Sequence, residues 1–549
     1  MHFMKLAAFL LVFLLTLPAF AQPGLQVPAS LTKALEQVKP ENLRAHVAYL
    51  ADDQLRGRAP GSPGYQLAVD YVTGQFKALG VLPAGEQGTY IQTLRLRRAF
   101  VQPGARFRLR EGKAAPQALR AGQDFVLYPN PAQARVALQA PLVFAGYGIS
   151  APEQGYDDYE GLDVEGKVVV IVRGAPSSFP STIAAASQSV LTLLQTAQRH
   201  GAAGVLLAPA RLNPKASLPQ LEKGVCSVLG PDGRVATSGS YVPGGLHFLA
   251  SISAATFQRL LGTALDSSRV LPAIRAGRPA SAALRGVVDL AFQSRYQDFD
   301  SYNVAGKIAG SDPTYSADYV AHTAHLDHLG VGTPVQGDSI YNGAHDNASG
   351  VAAVLEMARV YSQLKERPKR SLLFVLFTGE ELGLLGSAYF AAHPTVPNGS
   401  IVADLNCDMP TLLAPLLSIV PLGAGHSTLA EPVAQAAAHL GISVEADPEP
   451  EQNRFIRSDQ FSFVTQGIPA LHVKYGNKTA DGLNNLSAQV QSWRAATYHQ
   501  PQDDINGRFD FEAGRKYVQL YTLISYQVAQ APQRPRWNKG DFFGQRYGE

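Results

Sequence analysis

The chain has 549 residues, 46% of them hydrophobic and 17% charged, enough to bury more than one core without covalent staples. Its 50 glycines and 37 prolines are ordinary at this length, which excludes a collagen-like or disordered chain. Basic residues number 47 and acidic residues 44, with no long basic run, and this excludes a nucleic-acid binder that needs clustered positive charge. In chain order, Met1 to Leu17 reads as a signal peptide. Lys5 supplies the positive end, Leu6 to Leu17 the apolar run and Ala19-Phe20-Ala21 the cleavage site, so the mature chain is expected to begin at Gln22. That run is shorter than the ~20 residues a membrane span needs, and no later stretch is long enough. The expected address is therefore export, periplasmic or extracellular, with no membrane span after signal cleavage.

Residues 30–76 carry apolar side chains at helical spacing, in Leu43, Val47 and Leu50 and again in Val69, Val72 and Phe76. A loop rich in Gly and Pro, from Gly57 to Gly64, divides them into two helices. From about Phe100 the texture changes to short strands ending in glycine, at 141–148 and 166–174, then a helix over 182–200 and a buried strand over 204–208. From Tyr302 onward, buried strands are predicted near 319–323, 372–377, 401–406 and 468–473, with helices such as 350–364 and 430–440 between them. That alternation predicts an α/β domain whose mainly parallel mixed sheet is sandwiched by helices. Cys226 and Cys407 are too far apart in sequence, and too few, for a disulfide scaffold or a cysteine-rich zinc site.

The chemistry concentrates in the second half. His322, His325, His328 and His345 fall within 24 residues, although the whole chain has 13 histidines. His325 and Asp327 follow one predicted strand and Asp346 precedes a helix. Glu380 and Glu381 follow a second strand and Asp408 a third. In open α/β sheets the carboxyl ends of strands border the ligand crevice, so these clusters should converge there. Imidazoles with carboxylates suit zinc, and less selectively manganese or cobalt. The acids are too many for one tetrahedral ion. Two ions about 3.5–4 Å apart, bridged by a carboxylate, would use them all. Of two adjacent glutamates, one can ligate while the other serves as general base. Asp327, two residues from His325, is placed to orient that imidazole.

Six segments make the pattern specific: 324–330 (AHLDHLG), 342–350 (NGAHDNASG), 377–387 (FTGEELGLLGS), 405–409 (LNCDM), 457–461 (RSDQF) and 498–504 (YHQPQDD). Together they resemble the M28 family of zinc aminopeptidases, in order and in spacing, from Tyr302 to about Leu523. The resemblance implies two zinc ions per chain, held by His325, Asp346, Glu381, Asp408 and His499, with Asp346 bridging. It implies Glu380 as general base, Asp327 as the residue that orients His325, and a cis peptide at Asp346–Asn347. The stretch from about Phe100 to Gln293 resembles an inserted protease-associated (PA) domain, β-rich, through 166–174 and 199–207. The expected division is a signal peptide at 1–21, a first catalytic segment at 22–99, the insert at 100–293, the main catalytic segment at 294–530 and a tail at 531–549. Two positions depart from the family pattern: Gln460 stands where a His is common, and Phe455 where some members have a Tyr that steadies the oxyanion. Tyr475 is an alternative donor.

The expected activity is hydrolysis of N-terminal residues from peptides by a metal-activated water. Alternatives on the same fold are a carboxypeptidase or dipeptidase, for which Arg454 and Arg457 are candidate carboxylate partners, and a glutaminyl cyclase. A receptor-like protein that binds through the insert is the alternative of another class, and missing metal ligands would be its signature. No G-x-S-x-G or H-E-x-x-H motif occurs to suggest other hydrolases. His322, His328 and His345 are expected to be structural. Asp459 is expected either to support the site or to cap a helix.

Overall fold

The computed structural model describes residues 25–111, 114–209, 217–262 and 264–548; the expected signal peptide lies outside the described residues. No helix among the described residues is long and apolar enough to cross a membrane.

The central sheet contains seven main strands: β1 (Ile91–Val101), β2 (Ala282–Ile308), β3 (Tyr319–His325), β4 (Ser371–Phe377), β5 (Ile401–Asn406), β6 (Ser418–Leu422) and β7 (Ala470–Tyr475). Their spatial order is β1-β2-β4-β3-β5-β7-β6. The inner four, β4, β3, β5 and β7, are mutually parallel, and the strands on either side of them run antiparallel. The inner strands are buried along both faces, which is why Leu372–Phe377 reads as an unbroken apolar run. Side chains alternate between two cores. Val320 and Ala324 join the core formed with helices Pro40–Leu50, Pro63–Ala78, Ser349–Ser362 and Phe511–Gln530. Tyr319 and Ala321 join the opposite core, with Phe390, Phe463 and the C-terminal Phe542 and Phe543. The molecule is thus an α/β sandwich of the predicted class. The C-terminal segment is packed into it, with Trp537 Nε1 donating to Gly467 O at 2.8 Å.

A second sheet forms where β1 and β2 diverge. Strand β2 is continuous over 27 residues. Its first half pairs with Arg106–Glu111 and Arg135–Phe144, and its second half pairs with β1 from Ser294↔Val101 onward. The second sheet also contains Val168–Val172, Gly204–Ala208 and Phe248–Ile252, which run parallel to one another, with Phe125–Leu127 antiparallel at the edge. It has its own core. The single helix expected over 182–200 is two, Ser181–Ser187 and Val190–Arg199, because the Ser189 side chain caps the second by accepting from Thr192 N–H. One part of the insert belongs to the central sheet: Val225–Leu229 pairs with β1, and Val235–Ser238 pairs with it in turn. Both cysteines are buried free thiols.

Candidate metal centre

Five segments bring the site together: three leave from the carboxyl ends of inner strands, one enters a helix and one follows a helix. His325 is the last residue of β3. Asp346 lies in the turn that enters helix Ser349–Ser362, and its peptide to Asn347 is cis. Glu380 and Glu381 follow β4, and Asp408 follows β5. His499, with φ at 58°, follows helix Leu486–Thr497.

The five residues expected as metal ligands converge on one another. His325 Nε2 lies 3.3 Å from Asp346 Oδ1 and 3.5 Å from Asp408 Oδ1. His499 Nε2 lies 3.2 Å from Asp346 Oδ2 and 3.3 Å from Glu381 Oε2. Asp346 therefore sends one oxygen to each of two triads. Ligands held 2.0–2.1 Å from a tetrahedral zinc stand roughly 3.3 Å apart, so these separations match the edges of such a polyhedron. Among the described residues, His499 Nε2, Asp408 Oδ1 and Glu381 Oε1 are buried and face only the imidazoles and carboxylates of this cluster. Buried carboxylates crowded together at this spacing suit a shared cation.

The electrostatics agree. Burial would depress His325, yet Glu380, Asp346 and Asp408 hold it well above its ordinary value. Burial also works against protonated His499, but Asp346 and Glu381 raise it to about 10. Asp346 is pushed up by burial and pulled well below the carboxylate range by His325 and His499. Without an ion, the carboxylates draw protons onto the imidazoles: the site is short of positive charge.

Asp327 acts in a way that differs from the expectation. The His325 Nδ1 partner is the Asp327 main-chain carbonyl at 3.1 Å, while the carboxylate stands 4.0 Å away. That carboxylate instead accepts from the N–H groups of Glu380 and Glu381 at 3.1 and 3.3 Å. Asp327 thereby ties the His325 loop to the acid turn. Glu380 makes none of the short contacts among the ligands. Burial and the nearby Glu381, Asp408 and Asp459 hold its carboxyl well above the ordinary range, against the pull of His325.

His328, expected to be a structural loop histidine, lies against the site. It is fully buried with Nδ1 2.8 Å from Glu381 Oε1, and it can share a cation with Asp346 and Glu381. His322 is apolar packing, stacked on Phe374 at 5.2 Å. His345 stacks on Phe509 and bonds to Arg508 O through Nε2. Asp459 occupies a helix start but caps nothing; it is fully buried beside Ser387, and burial raises it to about 7. Gln460 accepts from Asn406 Nδ2 at 2.7 Å.

Several supports escaped the sequence reading. The Arg58 guanidinium donates to the carbonyls of Leu326, Asn342 and Gly343, joining the loops that carry His328 and Asp346. Asp503 accepts from the N–H groups of His345 and Asp346 at 2.9 and 3.0 Å, and its four-residue spacing from His499 was the available signal. Asn347 Oδ1 accepts from Gly350 and Met409, fastening the Asp346 turn to the Asp408 loop. Lys474 Nζ donates to the carbonyls of Asp408 and Met409.

Comparison with known proteins places this geometry. Residues 303–516 match the model of peptidase family M28, and residues 138–242 match that of the PA domain. Leupeptin-inactivating enzyme 1 of Streptomyces exfoliatus is 31% identical over 246 residues, covering 42% of this chain and 51% of that protein. Carboxypeptidase Q of Xenopus laevis is 35% identical over 138 residues, 24% of this chain and 27% of that one. Among solved structures, an aminopeptidase from Aneurinibacillus sp. strain AM-1 aligns over 92% of this chain and 97% of its own, at 19% identity and a TM-score of 0.49. The chain spans about half the length, or less, of these curated relatives. The chain thus carries a peptidase domain of family M28 together with a PA domain.

Proposed function

We propose that the chain is an exported zinc aminopeptidase whose site holds two ions. The observation that carries this reading is the pair of triads sharing Asp346, one carboxylate oxygen to each. His325 and Asp408 would hold one ion, His499 and Glu381 the other, and Asp346 both. Imidazole and carboxylate donors suit zinc. When bound, such a pair supplies Lewis-acid polarisation of the scissile carbonyl and acidifies the attacking water.

The chain's own residues do the rest. Glu380, outside both triads, is the general base: its carboxylate takes a proton from the attacking water and returns it to the leaving amine. Asp327 holds the backbone that carries Glu380 by accepting from its N–H, and meets the His325 ring through its carbonyl. Asp459 is a further buried acid beside Glu380. A crevice lined by acids favours a substrate presenting a cationic amine, which supports removal of N-terminal residues. Tyr475 faces Arg454, which also interacts with it electrostatically. Tyr498, stacked on the His499 ring at 3.8 Å, lies closer to the site.

The test pairs free and N-acetylated peptides with a chelator and with Glu380→Gln. Cleavage should need the free amine and stop on chelation. Glu380→Gln should lose at least about a hundredfold in kcat while keeping its metal, in the range expected for a general base. Cleavage of acetylated peptides alone would move the activity to a carboxypeptidase, and full activity of Glu380→Gln would remove the base.

A further inference from the structure

We infer that Arg494 is a specificity residue that receives a substrate carboxylate at the rim of the metal centre. This rests on the peptidase reading above and goes beyond it by naming a charged group the substrate should carry.

Lys474, Arg454 and Arg494 lie on the Asp408 side of the site, and the first two are already held. Lys474 is fully buried, with its ammonium on the carbonyls of Asp408 and Met409. Arg454 is paired with Asp447 at 2.5 Å and Glu449 at 3.5 Å. Arg457 is exposed. Arg494 is half-buried and has no carboxylate within ion-pair distance among the described residues.

Its position is fixed by the site itself. Arg494 lies one helical turn before Tyr498, and its guanidinium carbon sits 3.9 Å from the centre of that ring. The Tyr498 ring is in turn stacked on His499, at 3.8 Å and 23°. On its other side, Arg494 Nη1 lies 3.9 Å from Met409 Sδ, next to Asp408 in sequence. The guanidinium is thus wedged between the neighbours of two metal-binding residues, one from each triad. It stands two stacking layers from the His499 imidazole, one of 3.9 Å and one of 3.8 Å, roughly the reach of two extended substrate residues. A guanidinium stacked on an aromatic face turns its N–H edge outward; apart from the weak Nη1 contact to Met409 Sδ that edge is available, and it fits a carboxylate as a two-point fork. In a site otherwise rich in acids, it is the group that can offset a negative charge on the substrate.

The carboxylate could be the C-terminus of a very short peptide or an acidic side chain beside the scissile bond. Four peptides separate these sources: Leu-Leu against Leu-leucinamide, and Glu-leucinamide against Gln-leucinamide. Wild-type enzyme should prefer the carboxylate member of at least one pair. Arg494→Met should erase that preference by about tenfold or more, acting on KM rather than kcat, the change expected for one charge-assisted contact. Arg494→Lys, which keeps the charge and loses the fork, should restore part of it. Loss in the Leu-Leu pair assigns the C-terminus, and loss in the Glu pair assigns the side chain. Equal slowing of all four peptides, or unchanged preferences, would overturn the inference. The affinities of the same peptides for Glu380→Gln holoenzyme, with and without Arg494→Met, give a second readout. Should wild-type enzyme cleave none of the peptides, the peptidase reading falls, and these affinities still decide whether Arg494 binds a carboxylate.

Discussion

Asp327 shows how much work one residue does here without joining either triad. Its carbonyl sets the His325 ring, and its carboxylate holds two consecutive N–H groups of the acid turn. The sequence placed Asp327 beside His325 correctly, but spacing alone could not say which of its oxygens faces the imidazole. The same limit applies to His328. Three residues from His325, it reads as a loop histidine, and only the fold turns it onto Glu381. His322 is the opposite case, a histidine in a strand whose ring is used as an apolar plate. Neither nitrogen has a partner among the described residues, and burial pushes it down to about 3. In the unfolded chain it titrates near 6.5. The fold therefore carries no penalty from it above pH 6.5 and loses stability as the pH falls from there toward 3, by about 1.4 kcal/mol per pH unit. His322→Phe keeps the ring and removes the titration. Its melting temperature should fall less steeply than that of the wild-type protein between pH 6.5 and 5, and parallel curves would show that His322 is not neutral in the fold.

At the scale of elements, strand ends and turns build the site, and small residues let them approach. Asn303 clamps the acid turn at both ends: Oδ1 accepts from Thr378 N–H and Nδ2 donates to Gly386 O. The first turn of helix Ser349–Ser362 comes so close to the Asp408 loop that a Cβ on Gly350 would lie 2.0 Å from Cys407 O and 2.1 Å from Asn347 Oδ1. Both neighbours adjoin residues of the two triads. Gly350→Ala must move one of these loops, and misplacing a catalytic group by about 1 Å can cost a hundredfold in rate. The variant should therefore lose at least about a hundredfold in kcat/KM while unfolding only a few degrees lower, measured side by side. Near-normal activity would mean that the loops are not held in register by this contact. The strands themselves were legible because burial on both faces leaves continuous apolar runs. Their limits were less so. The last inner strand was expected at 468–473 and runs over Ala470–Tyr475, since Pro469 offers no N–H to the ladder.

At the scale of the whole molecule, the insert is less separate than composition suggests. The 27-residue β2 belongs to both sheets, a continuity that no local pattern announces, because each half reads as an ordinary strand. The hairpin from Val225 to Ser238 returns to the catalytic sheet, and Cys226 and Val228 pack against Leu94, Leu96 and Leu385, with Leu382 at the edge of that cluster. Leu382 directly follows Glu381, so the insert supports the acid turn from behind. Helix Ser181–Ser187 reaches the other side, where Ala186 shares a core with Phe455. Four residues of the two triads were legible because each belongs to a short run at a strand end or a helix start, whereas His499, which follows a helix, was implied only by the family resemblance. The supports Arg58 and Asp503 were not legible, because a residue that only donates to or accepts from backbone leaves no signature in spacing. The central claim is that Asp346 serves two ions at once. Metal content of purified wild-type, His325→Ala and Asp346→Ala proteins tests it most directly. The account predicts about two zinc ions per chain in wild type, about one in His325→Ala, and close to none in Asp346→Ala. A single ion in the wild-type protein, or two retained by Asp346→Ala, would contradict it.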